Sequence, residues 1–244
     1  MNAEHRVNTS QVSTEERRAT LAASLARVRS RISAACEAAG RQRHEITMIA
    51  VTKTFPASDV IALAGLGVRD IGENRDQEAS AKAAEVAAAG VDVRWHFVGR
   101  LQRNKCRSVV RYASMVHSVD RPQLVTTLAA AAESYRTEPL DVLIQVSLDD
   151  DPARGGASVA DLPRLAAMVV EQPALRLRGL MAVAPLGVDP DPPFRRLAEI
   201  AAEFREAYPE ATMLSAGMSG DLEAAIRHGA THVRIGSALL GSRA

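Results

Sequence analysis

The chain has 244 residues with a formal net charge of +1, 47% hydrophobic residues and only 3% aromatic residues. A nucleic-acid-binding protein would carry a basic surface or a set of stacking aromatic rings, so this composition argues against such a partner. No apolar run reaches about 18 residues, which argues against a membrane-spanning helix. The first residues lack the apolar core of a secretory signal, and we expect a cytoplasmic protein.

The cysteines and lysines are few enough to be considered one by one. Cys36 and Cys106 lie on predicted helices, far apart and without a Cys or His at ligand spacing, so neither a disulfide scaffold nor a zinc site is indicated. Of the 30 basic residues only three are lysines: Lys53, Lys82 and Lys105. Lys82 and Lys105 fall on predicted helices, where we expect surface charges.

The first predicted element is an amphipathic helix that extends from Ser13 to about Ala39. We expect residues 1–12 to form a disordered tail. Gly40 is typical of a residue that follows a helix. The helix is indicated by apolar positions that recur every three or four residues: Leu21, Leu25, Val28, Ile32 and Cys36.

After this helix, short runs rich in β-branched residues alternate with Ala-rich helical stretches, the pattern of repeated βα units. The predicted strands are 46–53, 70–73, 93–99, 115–119, 140–148, 175–184, 212–217 and 232–236. Helices begin near Ala57, Arg75, Asn104, Arg121, Val159, Pro193 and Asp221, and a short segment follows at 237–240. This pattern predicts an α/β fold, a (β/α)8 TIM barrel with an additional N-terminal helix, as a single domain over residues 13–244. An open doubly wound sheet is the alternative, and the absence of a Gly-rich strand-to-helix fingerprint weakens it.

Lys53 ends the predicted first strand, ITMIAVTK, where a buried strand would carry an apolar residue. It therefore falls at the C-terminal mouth of the barrel, the face on which such barrels build their chemistry. An ammonium group that is desolvated in a mostly apolar mouth is readily converted to a nucleophilic amine. The ordinary alternative is a lysine that extends from the strand end into solvent.

Two Gly/Ser-rich segments follow the last two predicted strands, at 215–220 and 234–237. TIM barrels often bind phosphate in the loops after strands seven and eight. Glycines let the backbone approach a ligand closely, hydroxyl groups donate to phosphate oxygens, and the amides that open the helix near Asp221 favour an anion. We expect a phosphate site across the mouth from Lys53, while each segment alone would also suit an ordinary turn.

Arg234 interrupts an otherwise apolar eighth strand. It could pair with a carboxylate inside the barrel, donate to a phosphate, or donate to the ring nitrogen of a bound pyridine, and the sequence leaves these roles open. The choice matters because a charged guanidinium at the ring nitrogen would keep that nitrogen unprotonated. A pyridine ring held in this way is a poor electron sink.

Six segments carry a resemblance to a known family. They are AVTKTFP (50–56), GENRDQE (72–78), HFVGRLQRNK (96–105), GLMAVAP (179–185), SAGMSGDLEAAI (215–226) and VRIGSALLG (233–241). In this order and spacing they resemble the YggS/PROSC family of pyridoxal 5'-phosphate (PLP) homeostasis proteins, which is itself similar to the N-terminal domain of bacterial alanine racemases. The resemblance covers roughly residues 43–241.

The resemblance implies that PLP is the cofactor and that Lys53 holds it covalently as a Schiff base, with Asn74 in contact near the ring. It further implies phosphate contacts from Ser215, Ser219, Gly236 and Ser237, a backbone or packing contact from Met218, and a cofactor-facing Arg234. For 96–105 the resemblance identifies the family rather than a role: His96 suits a packed strand position equally well, and Asn104 and Lys105 suit a helix cap.

The chain departs from the family pattern in two places. The segment 147–156 lacks the asparagine and the Glu- and Lys-bearing loop of many members, so no role is borrowed for it. Ala216 stands where the family often has methionine, a change that alters packing but not the backbone amides.

Three functions remain in competition. Racemisation needs two acid–base groups on opposite faces of the cofactor, and alanine racemases take the second from a tyrosine of a partner subunit in a further domain. Tyr112, Tyr135 and Tyr208 are predicted at helix ends away from the mouth, so we rank a non-catalytic PLP homeostasis or carrier protein first and an amino-acid racemase or lyase second. A Schiff-base aldolase without PLP comes third. The expected partners are PLP and PLP-dependent apo-enzymes, and the chain is expected to be a monomer.

Overall fold

The structure, a computed structural model, describes residues 3–149, 155–185 and 187–241. Its parallel strands close into an eight-stranded barrel in chain order, each strand pairing with the next and the last with the first. This confirms the predicted TIM barrel and excludes the open sheet. The strands are β1 (Thr47–Val51), β2 (Asp70–Glu73), β3 (Arg94–Phe97), β4 (Ala113–Val119), β5 (Leu140–Gln145), β6 (Leu175–Met181), β7 (Met213–Ser215) and β8 (His232–Ile235).

Helices cover the outside of the barrel, and an additional helix precedes the first strand, as predicted. The described helices are α1 (Ala3–Ala38), α2 (Ala57–Gly65), α3 (Asp76–Ala88), α4 (Cys106–Tyr112), α5 (Pro122–Tyr135), α6 (Leu162–Val170), α7 (Asp191–Ala207), α8 (Leu222–Arg227) and α9 (Ser237–Leu240). None of the helices in the described ranges is long and apolar enough to cross a membrane. Cys36 and Cys106 are both free and buried.

The first helix packs against the end of the chain, chiefly on α8 and α9. Its predicted apolar positions are all buried: Leu21, Leu25, Val28, Ile32 and Cys36. The helix begins at Ala3 rather than near Ser13, so it includes most of the segment expected to be a tail. The disorder of residues 1–12 stays a prediction, and residues 1 and 2 lie outside the described ranges.

The core has an apolar layer outside the barrel, and the barrel interior contains both apolar and polar side chains. Two clusters of buried aliphatic residues fill the space between the strands and the helices. Inside the barrel, Met115, Leu143 and Met181 form a small apolar cluster. Several other buried strand residues are polar, and five of them lie on β2, β3, β4, β7 and β8: Asp70, His96, His117, Ser215 and Arg234. Because polar groups in a dry interior must find partners, we expect these side chains to bond with one another.

Candidate functional site

The barrel register sets the neighbours of Lys53. On one side Ala50 pairs with Ile235, and on the other Val51 pairs with Gly72. Continuing these registers beyond the strand ends brings Val51 level with Gly236 and Lys53 level with Asn74. The mouth therefore has Lys53 between the loop after β8 and the loop after β2.

Lys53 itself differs from the expectation in one respect. The strand ends at Val51, and Lys53 lies in the turn that follows, where its side chain is exposed. The prediction that the Lys53 ammonium group is desolvated was wrong. The predicted first strand was too long at its C-terminal end, so it included a residue that lies in the turn. The next residue, Thr54, has φ 75, the left-handed region that a β-branched side chain rarely adopts.

A buried ionic cluster holds the backbone on both sides of Lys53. Lys82 Nζ donates to the carbonyl oxygen of Thr52 at 2.8 Å and to Glu73 Oε1 at 2.5 Å. The Thr52 hydroxyl donates to the same carboxylate oxygen at 2.7 Å, and the Thr54 N–H donates to Glu78. Burial raises the pKa of Glu73, while its hydrogen bonds from Lys82 and Thr52 oppose that rise. We call Thr52, Glu73, Glu78 and Lys82 the lysine-loop cluster.

The prediction that Lys82 is a surface charge was therefore wrong. Its side chain is 5% exposed and lies between α3 and the end of β1. The reason is its place on the helix: the buried positions of α3 recur at three- and four-residue spacing, and Lys82 is one of them. Lys105 agrees better with the expectation, since its side chain is 41% exposed and its ammonium lies 4.0 Å from Asp76.

The two Gly/Ser-rich loops after β7 and β8 contact each other. The Ala238 N–H donates to Ser219 Oγ at 3.2 Å, and the Arg234 N–H donates to the carbonyl oxygen of Gly217 at 2.9 Å. Gly217 has φ 89, and a Cβ there would lie 2.5 Å from the Cβ of Ala225, so only glycine fits this turn. We call residues 215–220 and 236–238 the paired loops.

Backbone amides of the paired loops remain available for a ligand. Among the described residues, the N–H groups of Ser219, Gly220 and Ser237 have no acceptor. The Met218 N–H is different, because it donates to Asp221 Oδ1 at 2.5 Å. Unpaired backbone donors on two loops that meet are suited to the oxygens of a phosphate group.

Ser215 was predicted to contact a phosphate, and in the structure its side chain contacts other protein groups. Its side chain is fully buried, and its hydroxyl oxygen accepts from Arg234 Nη1 at 2.7 Å. Arg234 Nη2 also donates to the carbonyl oxygen of Ala182 at 2.8 Å. Burial lowers the pKa of Arg234 to about 10, which leaves the guanidinium charged at neutral pH. Of its five N–H donors, three are unused among the described residues.

Ser215 also connects Arg234 to a line of polar groups across the barrel interior. Its oxygen lies 3.0 Å from His117 Nδ1, His117 Nε2 lies 2.9 Å from His96 Nδ1, and His96 Nε2 lies 2.9 Å from Asp70 Oδ1. All five residues are buried. Burial lowers the pKa of His117 well below its usual value. We call this line the interior chain.

Asn74 lies next to a cleft. The cleft has a volume of about 470 Å³, within the range of small-molecule sites, and includes Asn74, Phe97 and Arg100 in its lining. Asn74 Oδ1 is buried without a hydrogen-bond partner among the described residues. A Cβ at Gly99 would lie 2.1 Å from the Asn74 carbonyl oxygen, so the two backbones pass each other too closely for any side chain.

Comparison with known proteins identifies the family. The model of the alanine racemase N-terminal domain matches residues 23–244. The pyridoxal phosphate homeostasis protein of Mycobacterium tuberculosis H37Rv is 49% identical over 244 residues, covering 93% of this chain and 95% of its own. The protein of that name from Escherichia coli K12 is 42% identical over 231 residues, covering 91% of this chain and 97% of its own. The chain belongs to the pyridoxal phosphate homeostasis proteins.

Solved structures agree with this membership. PipY of Synechococcus elongatus PCC7942, solved with PLP bound, has a TM-score of 0.80 at 34% identity over 91% of this homeostasis-family chain and 100% of its own. The same protein solved without PLP has a TM-score of 0.78 at 35% identity. Alanine racemase from Streptomyces coelicolor A3(2) has a TM-score of 0.69 at 20% identity, over 93% of this chain and 59% of its own, and shows the shared fold alone.

Sequence reasoning missed several polar residues of this homeostasis-family barrel. It did not predict Glu73, Glu78 or His117, and it left His96 open between packing and function. The stripe of buried positions on α3 was a signal for the lysine-loop cluster. The loop 149–156, for which no role was predicted, has residues 150–154 outside the described ranges.

Proposed function

We propose that this protein binds PLP at the barrel mouth and acts in PLP homeostasis or carriage rather than in catalytic turnover. The observation that carries the proposal is the register that brings Lys53 to the same rim as the paired loops, whose unpaired amides suit a phosphate. The names of the curated relatives and the PLP-bound PipY structure support it.

The residues present fit PLP. A phosphate ester needs several donors at one place, and the paired loops offer the amides of Ser219, Gly220 and Ser237. The Cβ position of Gly236 has no atom nearer than 3.6 Å, which leaves room beside Val51 at the mouth. When bound, PLP supplies an aldehyde carbon with which an amine forms a C=N bond, and the carbonyl oxygen leaves as water. Lys53 is the lysine that the register brings to this rim.

We assign the remaining site residues as follows. Ser219, Gly236 and Ser237 contact the phosphate, and Met218 packs beside it, since its own N–H is used by Asp221. Asn74, with an unpaired Oδ1, borders the ring. The Arg234 guanidinium bonds to Ser215 and to the carbonyl oxygen of Ala182 on the inner side of the mouth, rather than pointing to the unpaired amides of the paired loops. We therefore assign Arg234 to the ring nitrogen and Ser215 to the support of Arg234.

A cationic Arg234 at the ring nitrogen bears on turnover. It keeps the nitrogen unprotonated, which weakens the ring as an electron sink. A racemase or lyase would also need a second acid–base group at the mouth. The tyrosines lie at the ends of outer helices: Tyr112 bonds to Asp76, Tyr135 stacks with Arg111, and Tyr208, just after α7, packs on Phe204. We therefore rank turnover of an amino acid second, and a PLP-free aldolase third.

The biological setting is part of the same proposal. A carrier of PLP passes it to PLP-dependent apo-enzymes, and we propose these as partners, with the protein acting as a monomer in the cytoplasm. The buried free cysteines accord with a reducing compartment.

An absorption experiment tests PLP binding at Lys53. Purified protein incubated with PLP and desalted should keep a visible absorption band, and a Lys53→Ala variant should lose it. Lys105→Ala is the matched control, because that lysine is also solvent-accessible, and this variant should keep the band. A colourless wild-type protein would overturn the proposal.

A second experiment separates carriage from turnover. The PLP-loaded protein is incubated with single-enantiomer amino acids, and the mixture is analysed on a chiral column. Unchanged enantiomers support carriage, whereas multiple-turnover racemisation would establish the alternative.

A further inference from the structure

Each end residue of the interior chain has a single hydrogen-bonding role, either donor or acceptor. Arg234 at one end has only N–H donors, and Asp70 at the other end has only acceptors when ionised. Asp70 is ionised in this setting, because the hydrogen bonds from His96 and Arg94 outweigh its burial and lower its pKa to about 2. Between these ends lie Ser215, His117 and His96, each of which can donate on one side and accept on the other.

These ends fix the direction of the hydrogen bonds. Because the Ser215 oxygen accepts from Arg234, its O–H is free to donate to His117 Nδ1. A neutral His117 then carries its proton on Nε2 and donates to His96 Nδ1. His96 in turn carries its proton on Nε2 and donates to Asp70. Every donor in the line has an acceptor, and both rings are neutral.

The opposite direction is less favourable. If His117 donated from Nδ1 to Ser215, its Nε2 would accept and His96 would have to donate from Nδ1. A neutral His96 would then face Asp70 with an unprotonated nitrogen at 2.9 Å, two acceptors in contact. A charged His96 would avoid this contact and would pair with the Asp70 carboxylate, but it would add a second buried charge beside the fully buried His117.

We propose that Asp70, His96, His117 and Ser215 form a hydrogen-bond relay of one fixed direction, which positions Arg234 at the mouth and makes its contact with PLP depend on Asp70. The four residues before Arg234 are positioning residues, since none of them is assigned a contact with the cofactor. The part that concerns PLP rests on the proposed function, and the direction of the relay does not.

Asp70 is well placed for such control. It is the first residue of β2, at the N-terminal end of the barrel and away from the mouth. Arg94 holds it from the solvent side with two hydrogen bonds, Nε to Oδ1 at 2.8 Å and Nη2 to Oδ2 at 2.6 Å. Asp70 touches none of the proposed site residues, so the line of hydrogen bonds is the route by which a change there reaches Arg234.

Histidine-selective 15N labelling of the PLP-free protein tests the direction. The ring-nitrogen chemical shifts should show His96 and His117 as neutral rings protonated on Nε2 at neutral pH. Protonation of either ring on Nδ1, or a charged ring, would overturn the proposal. This readout needs no bound PLP, so it stands or fails separately from the proposed function.

A pair of carboxylate variants tests the coupling. Asp70→Asn replaces the anionic end of the relay, and Asp141→Asn is the control, because Asp141 also lies near the start of a strand and pairs with an arginine, Arg176. We expect Asp70→Asn to shift the ring resonances of His117, two residues along the relay, and to weaken PLP binding about tenfold. Asp141→Asn should do neither.

Two results would contradict the coupling. One is an unchanged His117 spectrum in a folded Asp70→Asn protein, as judged by circular dichroism. The other is an equal loss of PLP affinity in both variants, which would indicate a general effect of removing a carboxylate.

Discussion

The two sides of the mouth are held by different kinds of interaction. The side with Lys53 depends on charged side chains: Lys82, Glu73 and Glu78 hold the backbone around a residue with strained φ. The side with the paired loops depends mainly on the backbone, on glycines that allow tight turns and on hydrogen bonds between main-chain groups. A reactive side chain must be held in one orientation, whereas a phosphate group needs only several hydrogen-bond donors nearby. The different interactions on the two sides of the mouth reflect these different requirements.

The difference predicts where substitutions are costly. On the lysine side, removal of one charge leaves another charge buried without a partner. On the phosphate side, exposed side chains can change with little effect, provided that the backbone keeps its path. Four measurements test this contrast, from the largest expected effect to the smallest.

Lys82→Met should cost the most stability. The substitution leaves Glu73 buried without its cation, a loss of about 3–5 kcal/mol in the free energy of unfolding. Lys105→Met is the matched control, and its weak, exposed ion pair should contribute less than about 1 kcal/mol. Urea unfolding of both variants measures the difference, and equal losses would mean that the lysine-loop cluster does not support the fold.

Two glycines of the paired loops test whether this side depends on its backbone path. Gly217→Ala would place a Cβ 2.5 Å from the Cβ of Ala225 at φ 89 and should lower the free energy of unfolding by about 1–3 kcal/mol. Gly220→Ala, in the same loop, meets no atom within 4 Å and should change it by less than about 0.5 kcal/mol. Comparable losses in both variants, again by urea unfolding, would mean that the tight turn at Gly217 does not hold this side.

Acid should remove the contribution of Asp70, which lies at the opposite end of the barrel from both sides of the mouth. The pKa of Asp70 is lowered to about 2 in the folded protein from its ordinary value of 3.8, so its contribution is present above about pH 4 and is lost as the pH falls through about 2. The contribution is about 2 kcal/mol. The difference in unfolding free energy between wild type and Asp70→Asn should therefore shrink over this range, and a constant difference would contradict the assignment.

The smallest effect is expected behind the paired loops. Arg31 of α1 donates to the carbonyl oxygen of Ser219 at 3.0 Å and pairs with Glu223, and both side chains of the ion pair are partly exposed. Arg31→Met should lower the free energy of unfolding by about 0.5 kcal/mol and leave PLP affinity within about threefold of wild type. A larger loss of affinity, measured by titration with PLP, would show that this side also depends on a charged side chain.

The same contrast explains what could be predicted from the sequence. The barrel followed from the alternation of strand and helix patterns, and the paired loops followed from local Gly/Ser composition at 215–220 and 234–237. Lys53 stood out because a charge ends an apolar strand. These are local signals, each readable within a few residues of the chain.

The remaining features depend on contacts between distant parts of the chain. The hydroxyl of Ser215 meets His117, 98 residues away, and Lys82 meets the carbonyl of Thr52, 30 residues away. No local pattern encodes such pairs, although the inward stripe of α3 was a partial signal for Lys82. Strand ends were also extended too far, which is why Lys53 was expected to be buried rather than exposed.

Mapping the attachment point of PLP tests the central claim most directly. The protein is incubated with PLP, reduced with borohydride to make any C=N link permanent, digested, and analysed by mass spectrometry. We predict one modified peptide, with the added group on Lys53. Modification of Lys82, Lys105 or the N-terminal amine in place of Lys53, or no modified peptide at all, would contradict the account.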